Sequence, residues 1–273
     1  MCADNIKNLR SRIRSIRNAQ KIARAMFISA SVKYRRAAEL AEGGRYSFNM
    51  ARTALALLTP YMETQKRRGR KCIIVIGGDR GMSGGYNGAV LKEAMRHAGE
   101  NSVFLPVGRR IAAKMSAAGL EMIEGERLLS EKPDAGRLKC CMQQLAEGLF
   151  TGEISRIDII YTDFEGRMRS RERCECLYPP EVDMKEAGRM IFEPEPAEFA
   201  RSVFVDLLCS AVSGAVTAAN ACEQLARRMA MDSAQKNAQQ MMDEMRNRLN
   251  RTRQAGITQE LVEAVSGETA EGG

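Results

Sequence analysis

The sequence predicts an α/β protein in which a long antiparallel coiled coil of N- and C-terminal helices carries an inserted Rossmann-like α/β domain. Three observations predict it. The first 42 residues contain neither glycine nor proline. The stretch from Ala215 to Ala255 is equally free of both. Between them, short apolar runs alternate with helix-like segments, the pattern of a small, mostly parallel sheet.

The N-terminal helix begins with Ile6, Leu9, Ile13 and Ile16, which step by three and four, and the pattern continues less strictly through Ile22, Ala23, Met26, Ala30 and Ala37. Gly43-Gly44 predicts a kink or local fraying, after which helical spacing resumes from Met50 to Leu58 before Pro60. "KCIIVIG" then reads as a buried strand, followed by a glycine-dense loop and a helix from Asn87 to His97. "SVFLPVG" is a second strand, "RRIAAKMSAAG" a helix, and "AGRLKCCMQQLAEGLF" an amphipathic helix. "RIDIIYTDFEGRMRSRERCECLYP" reads as two strands joined at Glu165-Gly166.

In the C-terminal helix Ala211, Ala215, Ala218, Cys222, Leu225 and Met229 form one stripe, and Ala234, Ala238, Met241 and Met245 resume it. At about 1.5 Å per residue this is on the order of 60 Å of helix. Its small and flexible seam residues let two backbones approach closely, so the helices at opposite chain ends suit each other as an antiparallel pair. The expected organisation is a shaft helix over residues 1–59, an α/β domain over 60–200 and a second shaft helix over 201–273.

Composition narrows the function. Aromatic residues make up 5%, there is no tryptophan, and methionine numbers 17. The net charge of +8 is concentrated near the N-terminus, where Asp4 is the one acid before Glu39, and again in "KRRGRK". Such a helix suits a polyanion or an acidic protein cavity, so one reading is a basic coiled-coil nucleic-acid-binding protein. The scarcity of aromatic platforms speaks against that reading. No apolar run approaches the roughly 20 residues needed to span a bilayer. The cysteines lack a CxxC pair and read as reduced thiols, with Cys174 and Cys176 on the same face of a strand. His97 ends a helix without a plausible ligand set, so no metal site and no cofactor are expected.

The loop "GGDRGMSGGYN" follows a strand and opens a helix, the arrangement of a phosphate cradle. A Walker loop requires a Lys-Ser or Lys-Thr after the last glycine, and none is present. The dinucleotide spacing of glycines is also missing, and Asp79 sets a negative charge where a pyrophosphate would sit. The residues therefore read as a tight turn, with Asp79 and Arg80 paired or capping the next helix. With a single histidine and no nucleophile elbow, catalytic residues are not expected.

Three stretches carry a resemblance to a known family. "IKNLRSRIRSIRNAQKIARAMFISASVKYRRA" is similar to the N-terminal helix of the γ subunits of F-type ATP synthases. "DRGMSGGYN" resembles that family's DRGLCGGYN loop, and "MAMDSAQKNAQQMMDEMRNRLNRTRQAGITQELVEAVSG" resembles its C-terminal helix. Together they span the chain from near Ile6 to Gly267.

The resemblance implies a central rotor shaft, coupling ion flow through a membrane ring to ATP synthesis or hydrolysis in neighbouring subunits. It implies a hexamer of three α and three β subunits around one such chain, with an ε subunit and a c ring at its foot. Membrane association would be through that ring, at the cytoplasmic face of the bacterial plasma membrane. By motif, Arg253 and Gln254 would contact a β-subunit loop, with Met26 and Arg24 beside them across the coiled coil. Ile257, Thr258 and Glu260 match the C-terminal signature of the bearing. Phe192 and Glu193 fall where the foot touches ε and the ring. Asp79, Arg80, Gly81, Gly84 and Gly85 would form a structural turn. Beyond Gly267 the chain reads Glu268-Thr269-Ala270-Glu271 where the family continues with alanines. The dithiol insertion of the chloroplast form is missing, which implies that Cys140, Cys141, Cys174 and Cys176 carry no thiol regulation.

Overall fold

The computed structural model describes residues 2–62, 69–123, 128–131, 134–165, 169–180 and 196–270, with side chains from 6 at the start and to 259 at the end. Its helices are α1 (Cys2–Leu58), α2 (Tyr86–His97), α3 (Arg109–Ala117), α4 (Ala135–Thr151) and α5 (Pro196–Ala270). Its strands are β1 (Arg70–Ile76), β2 (Ser102–Val107), β3 (Ile154–Glu165) and β4 (Arg169–Tyr178). Two compact units result: residues 1–29 with 228–273, and residues 30–227. Both terminal helices contribute to both units.

In the larger unit the strands form one sheet in the order β2-β1-β3-β4. β1 runs parallel to β2 and β3, with Ile74 opposite Leu105 and Ile159. β4 is antiparallel to β3, with Ile160 opposite Cys174. The apolar run of β1 is continuous because helices cover both faces. Cys72, Ile74 and Ile76 face the core shared with α1, α4 and α5, whereas Ile73 and Val75 face α2 and α3. Asp158, buried on β3, is held by Lys71 Nζ on β1 at 2.8 Å and by Arg156 Nε at 2.8 Å.

Gly43-Gly44 neither kinks nor frays α1, which is helical without a break from Cys2 to Leu58. Gly43 has open space around its Cα, but Gly44 lies in the contact between α1 and α5, where an added Cβ would stand 2.9 Å from the Gly214 carbonyl oxygen. The expected disruption is a packing device: two glycines let the helix axes come together.

The buried positions of α1 follow a stricter rule than the sequence suggested. Leu9, Ile13, Ile16, Gln20, Ala23, Phe27, Ala30, Tyr34, Ala37, Ala41, Gly44, Phe48, Ala51, Leu55 and Leu58 are all buried or half-buried, and they step by four and three alternately. That mean spacing of about 3.5 is the coiled-coil repeat. Ile22, expected on this stripe, is 61% exposed. In α5 the same correction applies: Ala211, Ala215, Ala218, Cys222 and Leu225 are buried, but Met229 and Met241 are 57% and 49% exposed, and Met242 takes the buried place.

One membrane expectation also changes. Within Glu198–Gln259, α5 does contain a stretch long and apolar enough to cross a bilayer by length and composition. Half of that stretch is buried, because Phe204, Leu208, Ala211, Val212 and Ala215 pack in the core beside the sheet. Alanine, cysteine and serine dilute its apolar character for the eye, while packing against the core demands it.

Candidate functional site

The glycine loop is held by its own side chains. Asp79 Oδ1 accepts from the Arg109 backbone N–H at 2.9 Å, and Oδ2 accepts from the Glu131 N–H at 2.8 Å. Asp79 therefore serves the first turn of α3, not that of the following helix, and it is not Arg80 that neutralises it. Arg80 Nε instead meets Glu131 Oε2 at 2.9 Å. The Gly78 N–H donates to Asn87 Oδ1 at 2.8 Å, and the Gly78 carbonyl accepts from the Arg110 N–H at 3.0 Å. A Cβ on Gly78 would lie 2.5 Å from Glu223 Oε1 of α5, so any side chain there would have to displace the Glu223 carboxylate. Gly84 needs its freedom for a φ of 59°, and Met82, at φ 63°, is 63% exposed. Gly81 and Gly85 meet no close neighbour, so the packing gives no reason for glycine at either position.

This geometry sets the loop's chemistry. A helix N-terminus attracts an anion through its free N–H groups and its dipole. At α3 that anion is Asp79, a residue of the chain itself. The loop thereby ties the end of β1 to the start of α3 and to Glu131.

Behind it lies a charged cluster on α5. Glu223, Gln224 and Arg227 of α5 are buried. Arg227 Nη2 donates to Glu223 Oε1 at 2.5 Å and Nη1 to Gln224 Oε1 at 2.9 Å. Burial raises the Glu223 pKa above the ordinary value; Arg227 opposes the rise, while Asp79 and Glu131 add to it. Spacing of i, i+3 and i, i+4 was the one available signal of this pairing.

In the smaller unit, α1 and α5 are antiparallel. Gln20 Nε2 donates to Gln239 Oε1 at 3.1 Å, and the Arg228 guanidinium lies 5.7 Å from the centre of the Phe27 ring. Leu9, Ile13, Ala23, Met231, Ala238 and Met242 are the buried apolar residues of this pair. Lys7, Arg10, Arg12, Arg14, Arg17, Lys21 and Arg24 are exposed.

The register corrects one expectation. Met26, half-buried, and Arg24, exposed, stand level with α5 between Arg228 and Gln239. Arg253 and Gln254 are exposed a further 14 residues or more along α5, roughly 20 Å away at 1.5 Å per residue. The two pairs therefore do not sit beside each other. Ile257 is 46% exposed, and Thr258 Oγ1 donates back to the Gln254 carbonyl at 3.0 Å. The side chain of Glu260, and Phe192 and Glu193 entirely, lie outside the described residues.

His97 closes α2 with Nε2 at 3.2 Å from Glu93 Oε1. Among the described residues, no group of His, Cys, Asp and Glu is arranged to hold a metal ion, and seven cysteines are free. Burial pushes the Cys72 thiol up to about 12 and the Cys174 thiol up to about 11. Such thiols are poor nucleophiles. A cavity of about 480 Å³ lies between α4 and the sheet, lined by Val103, Leu105, Met122, Leu145 and Ile154, with Arg70 and Glu121 beside them.

Comparison with known proteins gives one consistent result. The family model described as ATP synthase matches residues 5–270. The sodium ion specific ATP synthase gamma chain of Acetobacterium woodii is 31% identical, over 98% of this chain and 99% of that one. The ATP synthase gamma chain of Acinetobacter baylyi is also 31% identical, over 97% and 99%. Among solved structures, a chain of the Euglena gracilis mitochondrial ATP synthase (OSCP, F1 and c-ring) superposes with a TM-score of 0.71, at 17% identity, covering 98% of this chain and 95% of that one.

Proposed function

The chain belongs to the ATP synthase gamma chain family, and we infer from that premise that it is the central rotor subunit of an F-type ATP synthase. The carrying observation is the match along nearly the whole of this chain and of its relatives, joined to an antiparallel pair of terminal helices with the sheet inserted between them. The relatives, all ATP synthase gamma chains, lend no support to a nucleic-acid partner for the basic helix.

In this reading three α and three β subunits surround the helix pair, and ε and a c ring engage the sheet-bearing part at the cytoplasmic face of the plasma membrane. The shaft makes no bond of ATP. It presents a different side to each β subunit as it turns, so each orientation favours different β conformations through differential contact. The exposed cations of α1 would meet acidic loops through pairs that are individually weak and therefore readily exchanged. Exposed Arg253, Gln254, Ile257 and Thr258 are free to serve as a bearing surface.

Co-expression with the α and β subunits of the same genome tests the reading. We expect a complex of three α, three β and one copy of this chain that hydrolyses ATP. An α/β hexamer of unchanged activity that excludes this chain would overturn it.

A further inference from the structure

Among the described residues, three ion pairs join α1 to the sheet-bearing layer, and in each the cation is on α1. Lys33 Nζ pairs with Glu131 Oε1. Arg45 Nε lies 4.0 Å from Asp163 Oδ1 on β3, and Arg52 Nη1 lies 2.5 Å from Glu175 Oε2 on β4. The acids are the more buried partners, with side-chain exposures of 21%, 7% and 22%. Glu131 is a junction in its own right. One carboxylate oxygen receives Lys33, the other Arg80, and its backbone N–H is bound by Asp79. Lys33 holds the Glu131 carboxyl below its ordinary pKa by hydrogen bonding, with burial opposing the shift.

The apolar contacts nearest Lys33 are made largely by small residues. Next to Lys33, α1 offers Ala37 and Ala41 against Ala221, with Phe164 packed alongside. Phe48 adds a large contact farther along, its ring 5.2 Å from that of Tyr161 on β3, but apolar burial is non-directional, and the alanine face between Lys33 and Phe48 presents few knobs to resist sliding or rolling of the helix about its axis. An ion pair with a fixed, half-buried acid is directional.

We propose that Lys33, Arg45 and Arg52, with Glu131, Asp163 and Glu175, are positioning residues for rotary coupling. They fasten α1 to the sheet layer so that torque applied to one reaches the other. The proposal rests on the rotor reading above. Its loss would leave ATP hydrolysis intact but let the helix yield under load.

The test uses the whole ATP synthase in membrane vesicles, with a potential-sensitive dye that reports ATP-driven charge transport whatever the ion. In the triple variant Lys33→Met, Arg45→Met, Arg52→Met, we expect hydrolysis close to wild type and a severalfold smaller potential per ATP hydrolysed. The charge-keeping triple Lys33→Arg, Arg45→Lys, Arg52→Lys should restore the ratio. An unchanged ratio in the methionine variant, or no restoration in the charge-keeping one, overturns the proposal. The single Glu131→Gln variant covers a triple that fails to assemble: a wild-type ratio there overturns it equally. A wild-type chain that supports no ATP-driven potential would instead remove the rotor reading itself.

Discussion

Gly44 of α1 and Gly214 of α5 face each other so closely that a Cβ on Gly214 would stand 2.4 Å from the Gly44 carbonyl oxygen and 2.9 Å from the Phe48 nitrogen. Both obstacles are backbone, which cannot rotate aside. Gly214→Ala should therefore destabilise the isolated chain by about 1–3 kcal/mol, the usual penalty of overpacking. Gly43→Ala is the control. Nothing lies within 4 Å of its Cα face, so relief of helix-interior glycine should stabilise by roughly 0.5–1 kcal/mol. Denaturant melts of the two variants should shift in opposite directions.

Asp79 satisfies two backbone donors that the fold leaves without another partner in the loop. Asp79→Ala should lower stability by about 1–3 kcal/mol, the range for orphaning buried or capping N–H groups. It should not create nucleotide affinity. Thermal melting and equilibrium dialysis with ATP check the two halves of this statement, and tight ATP binding to the wild-type chain would contradict the junction reading of the loop.

Arg227 is the counter-charge of a buried acid. Arg227→Met should cost about 3 kcal/mol, because it leaves Glu223 in the interior without its partner. The sign of the pH effect follows from the direction of the shift. Burial already raises the Glu223 pKa, and removing Arg227 raises it further. A group with a raised folded pKa stabilises the fold fully below its unfolded value and loses that contribution as pH rises through the folded value. The deficit of the variant relative to wild type should thus grow as pH climbs past the folded pKa of Glu223 in the wild type, itself above the ordinary value of 4.5. A deficit that shrinks with rising pH would show that Glu223 is not the group left behind.

Arg253 and Gln254 are exposed on α5 and support no packing in the chain itself. The double variant Arg253→Ala, Gln254→Ala should melt like wild type in isolation. In the assembled complex its ATP hydrolysis should fall. Equal activity in the complex would place the β-subunit contact elsewhere on the shaft.

Much of the fold was legible because its signals are long. Forty residues without glycine or proline, and an unbroken apolar run from Cys72 to Ile76, admit few alternatives. The failures share a cause: a residue type was given its average meaning. Gly44 was read as a breaker although close helix packing demands it. Nothing in the sequence sets Glu131, Glu223 or Arg227 apart from solvated charges, yet each is held by a specific partner. Ile22 stands six residues past Ile16, about 120° off the stripe at 100° per residue, so its apolar side chain misled where Phe27 and Tyr34 hold the repeat. The pairing of Met26 with Arg253 failed for a different reason, since helix register depends on which residues meet across the pair and no single-chain pattern contains it.

The alternation of three and four along α1 limits how this chain could ever change length. One inserted residue anywhere between Leu9 and Leu58 would turn everything beyond it by about 100°, presenting charged side chains to α5. Seven residues inserted together would return every later position to its own side of the helix. Lengthening or shortening of this helix should therefore come in sevens, matched by an equal change in α5, and any other increment would have to be absorbed outside the paired region.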